Sequence, residues 1–202
     1  MWTMPPEWQP HTATWMGFPT GAYDAAGVSD DDVFDAWAQV ANTISEHEPV
    51  HMLCHPGQLT IAQKELASAV TLHAFEIDDA WIRDSGPTFV TGEHGLGGVD
   101  WVFNGWGDHT AFDWSQDAKV ASHIIELTGA KRLGSDLVNE GGGIHVNGEG
   151  DVLLTRTVQL DPGRNPTATE DTVEAEVHQK LGTERAIWVD RGLWRDYRDH
   201  GT

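Results

Sequence analysis

Two stretches of the sequence place a carboxylate directly before a glycine-containing turn. Asp84 lies beside Arg83 in "AWIRDSGPTFV" (80–90), and Glu140 lies in "NEGGGIHVNGEGD" (139–151). Two carboxylates that face one closed cavity suit a planar guanidinium, which can donate paired hydrogen bonds to a carboxylate. The residues alone leave a second interpretation open, in which Asp84 pairs with Arg83 and Glu140 caps a loop. Which interpretation holds depends on whether the fold brings the two stretches together.

The three consecutive glycines after Glu140 are the second unusual feature of this stretch. Glycine loses more backbone freedom on folding than any other residue, so a run of three is costly. The run predicts a place where unusual backbone angles or close backbone approach are required. We therefore expect a structural or functional requirement at this junction.

The other candidates for chemistry are one cysteine and 11 scattered histidines. Cys54 and His55 are adjacent, but neighbours in a strand point to opposite faces, so the pair predicts a core thiol rather than a nucleophile with its base. The histidines show no HExxH or similar metal-ligand spacing. His11, His145 and His200 are candidates, although a lone histidine more often has a structural role.

Composition limits the class of protein. The 202 residues suit one domain, and 39% of them are hydrophobic, as in ordinary globular proteins. With 32 acidic and 12 basic residues the formal net charge is −20, which repels nucleic acid and attracts cationic ligands. An acidic coat that keeps a protein soluble at high salt is an equally good explanation of this charge.

The sequence also shows no targeting or membrane signal. The stretch "MWTMPPEWQPH" (1–11) has neither a basic region nor an apolar run, and no segment approaches the roughly 20 apolar residues that span a bilayer. The single cysteine excludes an internal disulfide and a multi-cysteine zinc site. We expect a soluble, cytoplasmic protein that binds neither membrane nor nucleic acid.

Short apolar runs alternate with helical patterns along the chain. The predicted strands are 12–19, 49–57, 72–77, 81–90, 97–107, two within 131–155, and 185–189. The predicted helices are 29–47, 58–70, 113–129 and 165–182.

Two of these helices have recognisable start signals. Ser29 is a suitable N-cap for the first helix, and Asn165 precedes Pro166 as the first helical residue of the last one. The apolar residues of the first helix recur with helical spacing at Val33, Trp37, Val40, Ala41 and Ile44.

The order strand, strand, helix, strand recurs along the chain. Its acidic-glycine junctions, at Asp84 and Glu140, lie 56 residues apart. Repeats of this length favour a propeller or an array over a doubly wound sheet. No glycine motif has GxGxxG or P-loop spacing, so a nucleotide-binding fold has little support. If the repeats circle an axis, the two carboxylates converge on it.

Five motifs resemble those of a known family. They are "MPPEWQPHTATWMGFP" (4–19), "DDAWIRDSGPTFV" (78–90), "FNGWG" (103–107), "NEGGGIHVNGEGDVLLT" (139–155) and "LDPGRNP" (160–166). In this order they resemble the agmatine deiminases, which belong with the Porphyromonas-type peptidylarginine deiminases in the guanidine-modifying superfamily. The resemblance covers essentially all 202 residues. It implies an α/β fold, a partial five-bladed α/β propeller (pentein fold) with about three blades. Residues 1–202 would form a single incomplete propeller domain that lacks the C-terminal blades.

The resemblance also implies an activity and a site. The family hydrolyses agmatine to N-carbamoylputrescine and ammonia, a step of putrescine biosynthesis, without a metal or other cofactor. Asp84 matches its first guanidinium-binding carboxylate, Glu140 its second acidic group, and Trp81 an aromatic wall of the site. Arg83 would then be a supporting ion-pair partner that does not contact the ligand.

The family's covalent machinery has no match within the chain. A cysteine thiolate attacks the guanidinium carbon and a histidine moves protons. The histidine motif, Gly-His-x-Asp, follows a segment that "WVDRGLWRDYRDHGT" (188–202) resembles, and the cysteine ends a later Gly-Gly-Gly-Asn-Ile-His-Cys motif. In "GGGIHV" (141–146) Val146 stands where that cysteine would be. Both catalytic residues are therefore expected beyond residue 202, and the chain alone is expected not to turn over agmatine.

Two other functions remain open at this point. One is a non-catalytic protein that binds a guanidinium or a polyamine through Asp84 and Glu140. The other is a deiminase of free or peptidyl arginine. An incomplete ring would also expose strand edges and the apolar faces meant for its neighbours. The isolated chain is therefore expected to be aggregation-prone or to pair with a second polypeptide, and a homo-oligomer is one form of such pairing.

Overall fold

The computed structural model describes residues 1–21, 23, 27–108 and 113–193. The chain divides into two compact units. The larger unit comprises Met1–Gln9, Arg83–Asp113 and Ala118–Thr202. The smaller unit comprises Pro10–Ile82 and Trp114–Asp117. The organisation of 1–202 as one incomplete propeller domain stays a prediction.

The described residues contain the predicted strands in order, but two expectations are wrong: the first strand, Trp2–Thr3, was not predicted, and residues 131–155 hold three strands instead of two. The strands are β1 (Trp2–Thr3), β2 (Thr14–Gly17), β3 (Val50–Cys54), β4 (Val70–Ala74), β5 (Thr88–Gly92), β6 (Gly95–Val102), β7 (Lys131–Val138), β8 (Ile144–Val146), β9 (Asp151–Thr155) and β10 (Arg185–Val189).

The helices are of two kinds, longer packing helices and single turns. They are α1 (Asp30–Ser45), α2 (Leu59–Glu65), α3 (Ile82–Ser85), α4 (Gly105–Asp108), α5 (Val120–Thr128), α6 (Arg156–Gln159) and α7 (Glu170–Leu181). The segment α4 is a turn and not a regular helix, because Trp106 and Gly107 have left-handed backbone angles. Short 3₁₀ turns occupy Pro56–Gln58, Asp117–Lys119 and Gly141–Gly143. None of these described helices is long and apolar enough to cross a membrane.

The larger unit holds two sheets that follow the predicted repeat. In the first, β5 and β6 are antiparallel, α5 follows, and β7 pairs parallel with β6, while β1 adds an antiparallel edge strand beside β5. In the second, β8 and β9 are antiparallel, α7 follows, and β10 pairs parallel with β9. The predicted strand, strand, helix, strand unit is thus confirmed in both sheets.

An apolar core lies among strands of the larger unit and α7. Side chains from alternate strand positions and from one stripe of α7 form it: Val90, Val99, Trp101, Ile144, Val146, Val152, Leu154, Val173, Val177 and Leu181. Because β8 contributes two of these residues, the core fixes the start of β8 and, with it, the glycine run that precedes it.

The smaller unit is a three-stranded parallel sheet, in the order β2-β3-β4, whose connections are α1 and α2. Its core contains Phe18, Phe34, Ala41, Val50, Met52, Cys54, Ala62 and Val70. Two predicted bounds in this unit are wrong: α2 ends at Glu65, earlier than residue 70, and the next strand is Val70–Ala74, whereas the sequence predicted 72–77.

The buried face of α1 matches the apolar set named from the sequence only in part: Ala41 is buried and Ile44 packs against the core, but Phe34 and Ala38 were not in that set. Phe34, Ala38 and Ala41 are buried, whereas Val40 is 52% exposed. The Phe34 ring stacks on Phe18, with ring centroids 5.4 Å apart. Both faces satisfy helical spacing in the sequence, so this tertiary contact, which the sequence does not display, selects the face.

The start of α7 differs from the prediction. The helix begins after Thr169, whose Oγ1 accepts a hydrogen bond from the Thr172 backbone N–H, while Thr172 Oγ1 accepts one from the Thr169 N–H. Asn165 instead joins the loop to β7: its Nδ2 donates to the Val138 carbonyl at 2.9 Å and its Oδ1 accepts from the Val138 N–H at 3.0 Å. Since the Asn165 side chain is engaged by a strand, it does not cap a helix.

Replacing Thr169 with alanine is expected to lower the free energy of unfolding by about 0.5–2 kcal/mol, because a capping hydrogen bond at the α7 N-terminus is lost. Ser29→Ala is the matched control, since Ser29 occupies the N-cap of α1 without a side-chain capping hydrogen bond. Urea denaturation of both variants checks the prediction. Equal losses in the two variants would contradict it.

Candidate functional site

Both candidate carboxylates lie at the start of a strand, strand, helix, strand unit within the larger unit. Asp84 lies in α3, a single helical turn directly before β5, where the sequence had predicted a strand. Glu140 directly precedes the Gly141–Gly143 turn, which leads into β8. The two carboxylates therefore occupy corresponding junctions, as their spacing in the sequence predicted.

A close backbone contact joins these two junctions. A Cβ atom added at Gly141 would overlap the carbonyl oxygen of Arg83, so only glycine allows this approach. A Cβ atom at Gly143 would lie 2.9 Å from the Val158 side chain. The glycine run therefore provides close approach, one of the two requirements that its cost predicted. Asp84 follows Arg83 and Glu140 precedes Gly141, so this contact brings the two carboxylates into the same region.

Glu140 is held in a buried ion pair. It is 0% exposed, and the Arg164 Nε lies 2.9 and 3.0 Å from its two carboxylate oxygens. Arg164 also donates from Nη1 to Asp161 Oδ2 at 3.0 Å. Burial raises the pKa of Glu140, the Arg164 charge and hydrogen bond lower it, and the charge of Asp84 raises it. The contribution from Asp84 places the two carboxylates within electrostatic reach of each other.

Asp84 is half-buried, and its pKa is raised above the ordinary value of an aspartate. Burial raises its pKa to about 6, while a side-chain hydrogen bond from Trp106 and the charges of Arg83 and Arg164 lower it. At pH 7 most of the population is ionised, so this carboxylate can attract a cation. Its partial removal from water strengthens any hydrogen bond that it accepts from such a ligand.

Trp106 is a site residue that the sequence reasoning missed. Its backbone is left-handed (φ 58°, ψ 43°), as are those of its two glycine neighbours, Gly105 and Gly107. Asn104 secures this turn, because its Oδ1 accepts from the Gly107 N–H at 2.8 Å and its Nδ2 donates to the Gly163 carbonyl at 3.0 Å. A bulky residue with positive φ is strained, and such strain concentrates at functional sites. The signal in the sequence was the glycine on each side of this tryptophan.

The alternative interpretation of the two carboxylates does not fit the geometry. Arg83 forms its ion pair with Glu7, at 2.7 Å, and acts on Asp84 only through its charge. Glu140 stands at the N-cap of a 3₁₀ turn but makes no side-chain capping hydrogen bond. The ion-pair partner of Arg83 is therefore Glu7, in the motif "MPPEW". The carboxylate of Asp84 is not used in that ion pair.

Trp81 belongs to the smaller unit. Its side chain is 45% exposed although it is large and aromatic. The indole Nε1 donates to Asp79 Oδ2 at 2.8 Å, and the ring stands edge-on to Trp37 with centroids 6.1 Å apart. An exposed aromatic ring held on two sides is suited to stacking on a planar or cationic ligand.

Cys54 is a core residue, as the sequence predicted. It is fully buried within the sheet of the smaller unit, and burial raises the pKa of its thiol to about 11. The thiol is therefore protonated at pH 7 and is a poor nucleophile. Its neighbour His55 pairs with Glu76 at 2.7 Å on the surface.

Among the described histidines, His51 and His73 approach each other, with 2.9 Å between Nδ1 and Nε2, and both rings stack on Trp15. His11 lies 3.4 Å from Glu48, and the His145 ring lies 6.4 Å from the ring of Trp8. His109 and His200 lie outside the described residues. Within the described ranges, no group of three or more His, Cys, Asp or Glu side chains is arranged to hold a metal ion.

The larger unit thus concentrates negative charge around one buried arginine. Asp84, Glu140 and Asp161 supply three carboxylates against the single guanidinium of Arg164. Arg164 donates hydrogen bonds to Glu140 and Asp161, and Asp84 is the partly exposed carboxylate beside the fully buried Glu140. The arrangement suits a small organic cation that can donate hydrogen bonds to a carboxylate.

Comparison with known proteins gives close relatives across the chain. A Streptomyces coelicolor protein, named provisionally as an agmatine deiminase, is 52% identical over 206 residues, covering 98% of this chain and 59% of its own length. The agmatine deiminase of Medicago truncatula is 35% identical and covers 98% of this chain and 56% of its own length. The chain therefore spans somewhat more than half the length of these curated relatives.

The fold is shared with a solved enzyme. The structure of the Enterococcus faecalis agmatine deiminase superposes with a TM-score of 0.86 at 34% identity, covering 93% of this chain and 52% of that one. This likeness confirms the predicted α/β class and the partial pentein fold. The sequence profile of the Porphyromonas-type peptidyl-arginine deiminases matches residues 3–201. On the strength of that match and of these relatives, the chain belongs to the Porphyromonas-type peptidyl-arginine deiminase family.

Proposed function

We propose that this chain supplies the guanidinium-binding carboxylate of an agmatine deiminase, with Asp84 as the direct contact. The observation that carries the proposal is the placement of Asp84: it is a half-buried carboxylate beside a second carboxylate, Glu140, whose charge is matched by Arg164. The names of the relatives support agmatine as the ligand.

The proposed binding step follows from hydrogen-bond geometry. A guanidinium presents two parallel N–H groups, which the two oxygens of the Asp84 carboxylate accept side by side. That pairing fixes the plane of the guanidinium, so its central carbon is presented to a nucleophile from one face. Positioning of this kind converts a bimolecular reaction into an effectively unimolecular one.

The other two predicted site residues have different proposed roles. Glu140 is fully buried and both of its oxygens are occupied by Arg164, so it contributes negative charge and holds Arg164 in place. Trp81 supplies an aromatic surface for the ligand cation. Only Asp84 accepts hydrogen bonds from the guanidinium in this proposal.

The proposed chemistry is hydrolysis of a C–N bond. A thiolate adds to the guanidinium carbon, ammonia leaves, and water then cleaves the amidino-thioether to release N-carbamoylputrescine and regenerate the thiol. Cys54 is unsuited to this step because it is buried and its pKa is raised to about 11. The reaction would serve putrescine formation in the cytoplasm.

The pKa of Asp84 is expected to fall when agmatine binds. The guanidinium stays charged across the relevant range, so it favours the ionised carboxylate and shifts the pKa down from about 6. Without ligand the sign is opposite: the folded pKa exceeds the ordinary value of 3.8, so protonated Asp84 favours folding at low pH, and that contribution is lost as the pH rises through about 6.

Carbon-13 NMR of labelled aspartate side chains measures this pKa with and without agmatine, and Asp84→Asn assigns the resonance. A pKa near 3.8 in the free protein, or one unchanged by saturating agmatine, would count against the proposal.

Product analysis tests the whole function. The complete natural polypeptide that carries this chain is incubated with agmatine and, as a matched substrate, with free arginine. We expect ammonia and N-carbamoylputrescine in equal amounts from agmatine. Binding of agmatine without ammonia release would favour the non-catalytic guanidinium-binding protein, and faster release from arginine would change the substrate. Neither binding nor release from either compound would refute the proposed function.

A further inference from the structure

Trp81 is exposed but firmly held within the smaller unit. Two contacts orient its indole: the hydrogen bond from Nε1 to Asp79 Oδ2 at 2.8 Å, and the edge-on contact with Trp37, whose ring is inclined at 83°. Although 45% of the residue is exposed, the hydrogen bond to Asp79 fixes the direction of the indole N–H.

Both oxygens of the Asp79 carboxylate accept hydrogen bonds from donors within the protein. Its Oδ2 accepts from the Trp81 indole, and its Oδ1 accepts from the Tyr23 hydroxyl at 2.6 Å and from the Ala80 N–H at 2.7 Å. Burial and the adjacent Asp79 raise the pKa of Tyr23, so its hydroxyl remains a donor at neutral pH. With both oxygens engaged, Asp79 is suited to hold its neighbours and not to bind a ligand itself.

The backbone that carries Asp79 is fixed in turn. Asp117 accepts hydrogen bonds from the N–H groups of Asp78 and Asp79, at 2.9 and 3.2 Å. Asp78 Oδ2 returns the contact, because it accepts from the N–H groups of Gln116 and Asp117 at 2.7 and 3.2 Å. These reciprocal hydrogen bonds hold the segment 78–79 to the segment 116–117. The backbone of Asp79, whose carboxylate orients the indole, is therefore restrained.

We propose that Asp79 is a positioning residue that fixes the Trp81 indole as a preorganised surface for the cationic ligand. The proposal rests on the proposed function, in which Trp81 contacts the agmatine cation. Asp79 acts through the indole N–H, which its Oδ2 accepts, whereas the Tyr23 hydroxyl bonds to the other oxygen, Oδ1.

Two physical effects follow from this arrangement. A fixed ring loses no rotamer freedom when the ligand arrives, so less of the interaction energy is spent on ordering the site. A carboxylate that accepts the indole N–H also pushes electron density into the ring, which strengthens the attraction of the ring face for a cation. Both effects act on ligand affinity and leave the reacting atoms untouched.

A double-substitution cycle tests the proposal in the complete natural polypeptide, with agmatine as substrate. Trp81→Phe keeps a ring but removes the N–H, and Asp79→Asn removes the charge and leaves one oxygen for three donors. Each is expected to raise KM for agmatine about tenfold and to change kcat less than twofold. In the Trp81→Phe background, Asp79→Asn should add less than a twofold effect.

Tyr23→Phe is the matched control, because it removes a different donor from the same carboxylate. It should leave KM within twofold of the wild-type value. An equal rise in KM on Asp79→Asn substitution in both backgrounds would overturn the proposal, since Asp79 would then act independently of the indole. If Asp79→Asn fails to fold, Trp81→Phe decides alone: an unchanged KM overturns the proposal.

An indole NMR measurement separates this proposal from the proposed function. In protein labelled with ¹⁵N-tryptophan and free of ligand, Trp81→Phe assigns the Nε1–H resonance of Trp81. Asp79→Asn should move that resonance upfield, since the hydrogen bond to a charged acceptor is lost, and an unmoved resonance overturns the positioning role whatever the substrate. A shifted resonance in a protein that neither binds nor consumes agmatine would refute the proposed function, and with it the role of the ring in ligand binding.

Discussion

Replacing Asp84 with asparagine is expected to lower kcat/KM for agmatine about 10³-fold in the complete natural polypeptide. The substitution removes a carboxylate that would accept two charge-assisted hydrogen bonds, each of which contributes about 1.5–3 kcal/mol. It also turns one acceptor into an N–H donor that faces the N–H groups of the guanidinium. Steady-state assays of ammonia release give the ratio directly.

Asp151→Asn is the control for this substitution. Asp151 belongs to the same unit and is also close to an arginine, since Arg185 Nε lies 2.7 Å from its Oδ1, but the pair is on the surface. Its kcat/KM should stay within about twofold of the wild-type value, since surface ion pairs contribute little. A similar loss in both variants, or a loss of less than tenfold for Asp84→Asn, would show that Asp84 is not the guanidinium contact.

Replacing Arg164 with methionine is expected to lower the free energy of unfolding by about 3–5 kcal/mol. The substitution leaves Glu140 buried at 0% exposure without its counter-charge, and breaking a buried ion pair on one side has a cost of this size. Asp161 loses a partner as well. Urea denaturation at pH 7 measures the change.

Two further variants make this prediction specific. Adding Glu140→Leu to Arg164→Met removes the unpaired charge, so part of the lost stability should return. Arg185→Met, which breaks the exposed pair with Asp151, should leave the free energy of unfolding close to the wild-type value. If Arg164→Met is no more destabilising than Arg185→Met, the ion pair at the candidate site has no structural importance.

The local part of the fold could be predicted from the sequence because its signals are local. The strand, strand, helix, strand repeat and the two acidic-glycine junctions each depend on patterns within short stretches of sequence. The glycine run also predicted a close approach, although not that its neighbour is the Arg83 carbonyl. The separation of 56 residues between Asp84 and Glu140 was sufficient to suggest equivalent junctions.

The contacts around the site could not be predicted, because each joins residues far apart in the sequence. Arg164 reads as an ordinary loop arginine in "LDPGRNP", yet it neutralises Glu140, 24 residues earlier. Asn165 has the sequence of a helix start, but its side chain bonds to Val138 in β7. In the sequence Trp106 is only an aromatic residue between two glycines. Its left-handed backbone and its hydrogen bond to Asp84 are evident only in the structure.

The most direct test of the central claim is a crystal structure of the complete natural polypeptide with agmatine bound. Soaking at pH 7, above the pKa of about 6 for Asp84, keeps this carboxylate ionised. The account predicts two guanidinium nitrogens within about 3.2 Å of the two Asp84 oxygens, with the Glu140–Arg164 pair intact. Agmatine seated elsewhere, or an Asp84 carboxylate turned away from the guanidinium, would contradict it.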